Sequence, residues 1–408
     1  MGNQYKSEVV ELAKKSSLQP QEALLKQRRG KHSLFIGIPK EIAMVENRVP
    51  LTPEAVALLV NNDHQVWVES QAGKTSKFTD REYSDAGAKI VYSAKEVFEA
   101  DIILKVEPPT YDEIEYFKPG KTLISALQIG SKTEDYIHSL NRKKITSVAF
   151  ELLEDKVGGM PVVRAMSEIA GSTVMLIAAE YLSSVSDGKG VILGGITGVP
   201  PTKVVILGAG TVAEYAARAA LGLGAEIQIF DNHIYKLRRI KHALGQQVYT
   251  SSIDTVTLSH SLKNADVVIG AIRAEKGRSR CIVTDEMVAA MKEDSIIIDV
   301  SIDQGGCFET SHITTHQKPI YRRHGVIHYC VPNIPSRVAR TATTAFSNIL
   351  TPILLNIAQV GGVEDMILST KWFTKGVYTY KGSLTNAHIG NKFNMKFKDL
   401  NLLLAARF

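Results

Sequence analysis

"KVVILGAGTVAEYAARAALGLGAEIQIFD", residues 203–231, decides the fold. An apolar run ends in Gly208-x-Gly210-x-x-Ala213, a helix-forming segment follows, and a second apolar run ends at Asp231, 23 residues after Gly208. Each part has a physical reason. Gly208 permits the tight turn, Gly210 lets backbone approach a pyrophosphate, and small Ala213 lets helix pack on strand. The pyrophosphate would sit at the helix N-terminus, where free N–H groups point at it. Asp231 stands where a carboxylate accepts both ribose hydroxyls and opposes a 2′-phosphate, so the cofactor expected is NAD rather than NADP.

Outward from this unit, short apolar runs keep alternating with helical patterns. Before it come "LFIGI", "QVWVES", "AKIV", "DIILKV", "TLISAL" and "ITSVAFE"; after it come "DVVIGA", "SIIIDVS" and "VIHYCV". This alternation is the mark of parallel sheets covered by helices. Two long helical stretches, "MSEIAGSTVMLIAAEYLSSV" and "RTATTAFSNILTPILLNIAQ", bracket the second series. The expected architecture is α/β with two Rossmann-like lobes: an inserted NAD-binding domain at 164–335 and a discontinuous substrate domain at 34–163 and 336–408, joined by the long helices. Residues 1–33 form an extension, with "SEVVELAKK" and "QEALLKQRR" each able to make an amphipathic turn or two, and the C-terminal segment is basic.

Composition narrows the class. At 408 residues the chain exceeds one ordinary core, and 44% apolar with 22% charged residues is typical of a globular protein in water. No stretch of about 18 uncharged apolar residues appears, and the charged start lacks the apolar core of a signal peptide, so no membrane partner is expected. Three cysteines, Cys281, Cys307 and Cys330, without metal-ligand spacing fit a reducing cytoplasm and no metal site. Residues 1–33 carry seven Lys/Arg against three Glu, and residues 371–408 carry seven against Asp399 alone. The net charge of +6 is thus held by the two ends, the body between is net acidic, and no nucleic-acid partner follows.

One cation in the first lobe asks for an account. In "AMVENRVPLTPEAV", residues 43–56, Thr52 can cap a helix, Pro53 suits its first position and Glu54 its first turn. The local structure is explained without Arg48.

With these segments in view the chain resembles the alanine dehydrogenase/nicotinamide nucleotide transhydrogenase family, and its alanine dehydrogenase branch most. The resemblance is carried by "IGIPKEIAMVENRVPLTPEAV", "DIILKVEPP", "AMSEIAG", "GVILGGITGVPPTKVVILGAGTVAEYAARAALGLGA", "IIIDVSIDQGGCFETS" and "YCVPNIPS", spanning about residues 34 to 350. It implies an NAD-dependent amino-acid dehydrogenase that interconverts alanine with pyruvate and ammonium, working as a homohexamer. Arg48 and Lys105 fall on the family's substrate-binding cations, and Asp303 on its catalytic aspartate. Ser167, Lys236 and Asn333 fall on cofactor contacts.

The sequence departs from the family pattern at one catalytic position. Where alanine dehydrogenases carry an acid/base histidine, "GKTLISALQIGS" places Gln128. An amide exchanges hydrogen bonds but not protons at working pH. A related dehydrogenase with another oxo acid or a saccharopine-like substrate, and a catalytically impaired NAD-binding regulator, therefore stand as alternatives.

Overall fold

The computed structural model describes residues 32–43, 46–155, 157–273 and 281–405. The expected amphipathic turns of the N-terminal extension lie outside the described residues. The chain forms β1 (Phe35–Ile38), β2 (Gln65–Glu69), β3 (Lys89–Val91), β4 (Ile102–Leu104), β5 (Thr122–Ser125) and β6 (Thr146–Ala149), with helices between them. Then follow β7 (Lys203–Leu207), β8 (Glu226–Phe230), β9 (Tyr249–Ser251), β10 (Val267–Gly270), β11 (Ile296–Asp299), β12 (Ile320–Arg323) and β13 (Val326–Tyr329). Two strands, β14 (Val377–Tyr380) and β15 (Ser383–Leu384), come last.

These strands make two sheets. One is ordered β15-β14-β6-β5-β4-β1-β2-β3, the other β12-β13-β11-β10-β7-β8-β9. Every run named from the sequence is a strand. The short strands β9, β12, β14 and β15 had no clear apolar period, and β12, β14 and β15 run antiparallel to their neighbours. Because β14 and β15 return to the first sheet, the C-terminal part completes the lobe that the N-terminal part begins.

In each sheet the strand order reverses at one place. The chain moves from β1 outward through β2 and β3, then crosses back to β4; it moves from β7 through β8 and β9, then crosses back to β10. Loops leaving the carboxyl ends at such a reversal diverge and leave a crevice, which is where open α/β sheets take ligands. The fold therefore offers two crevices, one after β1 and β4 and one after β7 and β10.

Two long helices flank the junction between the sheets. Pro161–Leu182 starts with Pro161 at its first position and carries Gly171 against the helix Thr211–Gly222. By length and hydropathy Pro161–Leu182 could cross a membrane, yet Val174, Met175, Ile177 and Ala178 are buried in the core of the second lobe. Ala339–Val360 sends Phe346, Leu350 and Leu354 into the core of the first lobe. Its hydroxyls also fasten the Arg48 segment: Val49 N–H donates to Thr343 at 3.1 Å and Thr52 N–H to Ser347 at 2.6 Å.

The contact at Gly171 fixes how closely the two helices meet. A Cβ there would lie 2.4 Å from the Val212 carbonyl oxygen, so backbone would have to move. Gly171→Val is expected to destabilise the protein by about 1–3 kcal/mol. Gly222→Ala, whose Cβ meets nothing within 4 Å, should be neutral or stabilising by about 0.4–1 kcal/mol. Urea melts of the two variants beside the parent check the contrast.

Candidate active site

The crevice of the second sheet is built around β7. Gly208 ends that strand at φ 108°, a left-handed geometry that favours glycine, and its Cβ would come within 2.5 Å of the Ala271 carbonyl oxygen beyond β10. Gly210 is the N-cap of Thr211–Gly222 and gives it no side-chain cap, so the first N–H groups of that helix are free for an anion. Among the described residues a Cβ at Gly210 would meet no atom within 4 Å, which leaves the approach to those N–H groups open. Ala213 is fully buried beneath them.

Asp231 lies one residue past β8, 7% exposed. One carboxylate oxygen accepts from Ala209 N–H at 2.8 Å; the other accepts from His233 N–H at 2.7 Å and faces the His233 ring at 3.0 Å. These bonds hold the carboxylate over the glycine turn, and the oxygen bound to Ala209 N–H keeps a lone pair for a hydroxyl. The glycine turn, the open helix end and the held carboxylate fit a dinucleotide. Lys236 sits on the helix Ile234–Leu244 that follows, its ammonium 5.9 Å from the Tyr235 ring. Ser167 is on Pro161–Leu182, beside Met166, which reaches Arg48.

At the carboxyl end of β11 two aspartates divide the work. Asp299 is fully buried and ties its own loop, accepting from Cys307 N–H at 2.9 Å and Ser311 Oγ at 2.8 Å. Asp303, on the 3-10 turn Ile302–Gln304, is open to solvent. Desolvation by the surrounding protein raises its pKa, opposed first by the N–H groups of its own turn and then by the charge of Arg273.

The crevice of the first sheet is crowded with charge. Arg48 is 7% exposed and gripped by Glu46 two residues earlier, Nε to Oε1 at 2.7 Å and Nη2 to Oε2 at 2.5 Å. Its guanidinium also lies over the Phe346 ring, 5.2 Å from the centroid, and Nη1 approaches the Met166 sulfur at 3.3 Å. Glu46 uses one edge of the guanidinium, so the Nη1/Nη2 edge keeps donors for a second carboxylate. Burial disfavours charge on Glu46, but Arg48 outweighs it and holds the carboxyl below its usual range.

Asn333 is brought to the same point from the other lobe. It follows β13 at φ 61°, and its Nδ2 donates to Glu46 Oε2 at 2.9 Å. His316 lies close by, facing the Asn333 backbone and the charge of Glu46.

Lys105, expected at the substrate, is packed beneath the crevice. It is 1% exposed, with Nζ 2.7 Å from Glu113 Oε1 and 3.3 Å from Glu41 Oε2. Burial alone would lower its pKa, and the two carboxylates more than offset this. Glu41 is pushed up to about 7 by burial, against the pull of Lys105. Glu113 also caps the helix Tyr111–Tyr116, its Oε2 accepting from Thr110 N–H at 2.8 Å. The Thr110-x-x-Glu113 spacing was the sequence signal for that carboxylate, and hence for where Lys105 turns.

Two residues further on, Glu107 turns into the crevice instead. Gln128 Nε2 donates to Glu107 Oε2 at 2.7 Å. Gln128 itself is held at φ 49°, ψ 51°, an uncommon geometry for a residue with a side chain, by Glu151, which accepts from Leu127 N–H at 2.7 Å and Gln128 N–H at 3.2 Å. Glu107 and Glu46 are the site carboxylates that the sequence reading did not single out. Their signal was only position, after β4 and beside Arg48.

Comparison with known proteins decides the family. The sequence profile of the alanine dehydrogenase/PNT N-terminal domain matches residues 37–170, and that of the C-terminal domain matches residues 174–387. The chain belongs to the alanine dehydrogenase/PNT family. It is 39% identical over 366 residues to alanine dehydrogenase 2 of Staphylococcus aureus strain USA300, covering 90% of this chain and 98% of that protein. Among solved structures, an L-alanine dehydrogenase superposes with a TM-score of 0.83 at 35% identity, over 88% of this chain and 99% of the other. A transhydrogenase from Sinorhizobium meliloti shares the fold at a TM-score of 0.75 and 23% identity, over 86% and 99%.

The Lys105 cluster tests what that lysine does. Lys105→Met leaves Glu41 and Glu113 buried without their cation, and breaking a buried pair costs about 3–5 kcal/mol. The expected result is a large loss of stability in urea melts at pH 8, smaller at pH 5, where Glu41 takes up a proton. A stable variant that loses only oxo-acid affinity would make Lys105 a substrate ligand.

Proposed function

We propose that this chain is an NAD-dependent amino-acid dehydrogenase interconverting L-alanine and water with pyruvate and ammonium. The observation that carries this reading is the match to alanine dehydrogenases along about nine-tenths of the chain. NAD would be held by the turn Gly208–Gly210, the N-terminus of Thr211–Gly222 and the carboxylate of Asp231, with Ser167, Lys236 and Asn333 as further contacts. When bound it accepts hydride from the substrate α-carbon.

The chain's own residues bind and orient. The open edge of Arg48 takes the substrate carboxylate as a charged, two-point hydrogen bond. Asp303, at the carboxyl end of β11, offers its carboxylate to the cationic nitrogen of the amino acid. Gln128 contributes a fixed hydrogen bond and no proton. Lys105 supports the crevice floor through Glu41 and Glu113 rather than touching substrate. A reducing cytoplasm suits the three unpaired cysteines, and a homohexamer suits the family.

NADH oxidation with pyruvate plus ammonium, run beside other oxo acids, tests the reaction. Binding of NADH without turnover of any oxo acid would favour the impaired regulator. Arg48→Ala should raise the KM for pyruvate by the equivalent of about 1.5–3 kcal/mol while leaving NADH affinity in place. The cofactor is tested at Asp231. The parent should prefer NADH to NADPH in kcat/KM, and Asp231→Ala should narrow the gap; equal use of both by the parent would remove Asp231 from the ribose site.

A further inference from the structure

An amino-acid dehydrogenase must move protons as well as hydride. Water has to leave the carbinolamine in one direction and attack the iminium in the other, and both steps need a proton carrier within reach. Gln128 cannot serve. Asp303 is engaged with the substrate nitrogen in the proposed reaction, which leaves the groups at the ends of β1, β4 and β5, where the substrate crevice lies.

Five ionisable or polar groups face each other there. Arg48 and Glu46 follow β1, Glu107 follows β4, Gln128 follows β5, and Asn333 enters from the other lobe. The Glu107 carboxyl stands within hydrogen-bonding reach of the Glu46 carboxyl and within the field of Arg48, with Glu41 acting on it from below. Lys132, beyond Gln128, feels Glu107 from the outer side. Glu46 has Arg48 on one edge and Asn333 Nδ2 on Oε2, so its charge is fixed in place. Glu107 accepts from a neutral donor, Gln128 Nε2, at 2.7 Å.

Resting on the proposed reaction, we infer that Glu107 is the proton carrier of this site, with Gln128 as the residue that positions it. Two carboxyl groups in contact cannot both ionise easily, and the one with the cation keeps its charge. Burial pushes the Glu107 carboxyl up to about 7, with the negative charge of Glu46 adding and Arg48 opposing. A group titrating there can give and take a proton at neutral pH.

The step balances without any further reactant. In amination, neutral Glu107 gives its proton to the carbinolamine hydroxyl oxygen as the C–O bond breaks. The nitrogen lone pair forms the C=N bond, water leaves, and Glu107 remains as carboxylate. In oxidation that carboxylate takes a proton from the water whose oxygen bonds to the iminium carbon, and the C=N pair returns to nitrogen.

The experiment is a pH series of alanine oxidation by the parent, Glu107→Gln, Glu107→Asp, Gln128→Leu and His316→Gln, with NADH affinity measured for each by fluorescence. The parent should gain rate as pH rises through about 7, where Glu107 loses its proton. Glu107→Gln should drop kcat by about 10²–10⁴-fold and erase that limb with NADH affinity intact, and Glu107→Asp should restore the limb. Gln128→Leu should move the limb to higher pH, because the carboxylate loses its donor; an unchanged limb would remove the positioning role of Gln128. His316→Gln should keep the limb. If Glu107→Gln keeps both rate and limb in a parent that oxidises alanine, or if the limb disappears with His316 instead, the assignment of Glu107 is wrong and the reaction stands. A parent that binds NADH and oxidises no amino acid overturns both.

Discussion

The structure turns on one carboxylate. Glu46 grips Arg48 along one edge of the guanidinium, accepts a hydrogen bond from Asn333 of the other lobe, and lies against Glu107. A buried arginine without a partner would be severely destabilising, so Arg48 can stand in the crevice only because Glu46 is two residues away. The same pairing leaves the far edge of Arg48 as a donor surface of fixed direction, and it joins the first lobe to the segment after β13. Cation placement, lobe contact and the state of Glu107 thus depend on the same two oxygens.

The sheets explain why these groups meet at all. Both reverse strand order once, at β1/β4 and at β7/β10, so loops from distant parts of the sequence open toward crevices at the carboxyl ends. The dinucleotide crevice is mostly backbone, a turn and a helix end with one carboxylate. The substrate crevice is mostly side chains. That division follows from the ligands: a pyrophosphate is satisfied by N–H groups, whereas a small oxo acid needs charges placed one by one.

This division also decided how much was legible in the sequence. Backbone requirements leave local marks, so Gly208, Gly210, Ala213 and Asp231 stood out from spacing alone, and the long runs gave the strands of both sheets. Short strands such as β14 and β15 take their stability from the neighbouring β6 and carry no period of their own. Charge placement leaves weaker marks. Lys105 and Glu107 are two residues apart in one extended segment, yet one is held under the crevice by Glu113 and Glu41 and the other is turned into it by Gln128. Which of the two faces a ligand depends on a capping glutamate eight residues on and on a loop held by Glu151, and only the first of these can be read locally.

Gln128 is the clearest case of a residue whose meaning changes with its surroundings. Read alone, an amide at an acid/base position signals lost chemistry. In the folded protein its backbone is held in a left-handed conformation by Glu151. The fixed amide points at a carboxyl that already lies against Glu46 and Arg48, and an amide is suited to that task because it donates without competing for the proton. A histidine in its place would itself titrate near neutral pH, and beside Glu107 the two would share one proton between them. On the proposed reading, glutamine where the family resemblance implies histidine is coherent with a proton carrier at the end of β4 rather than of β5, within the same crevice and the same fold.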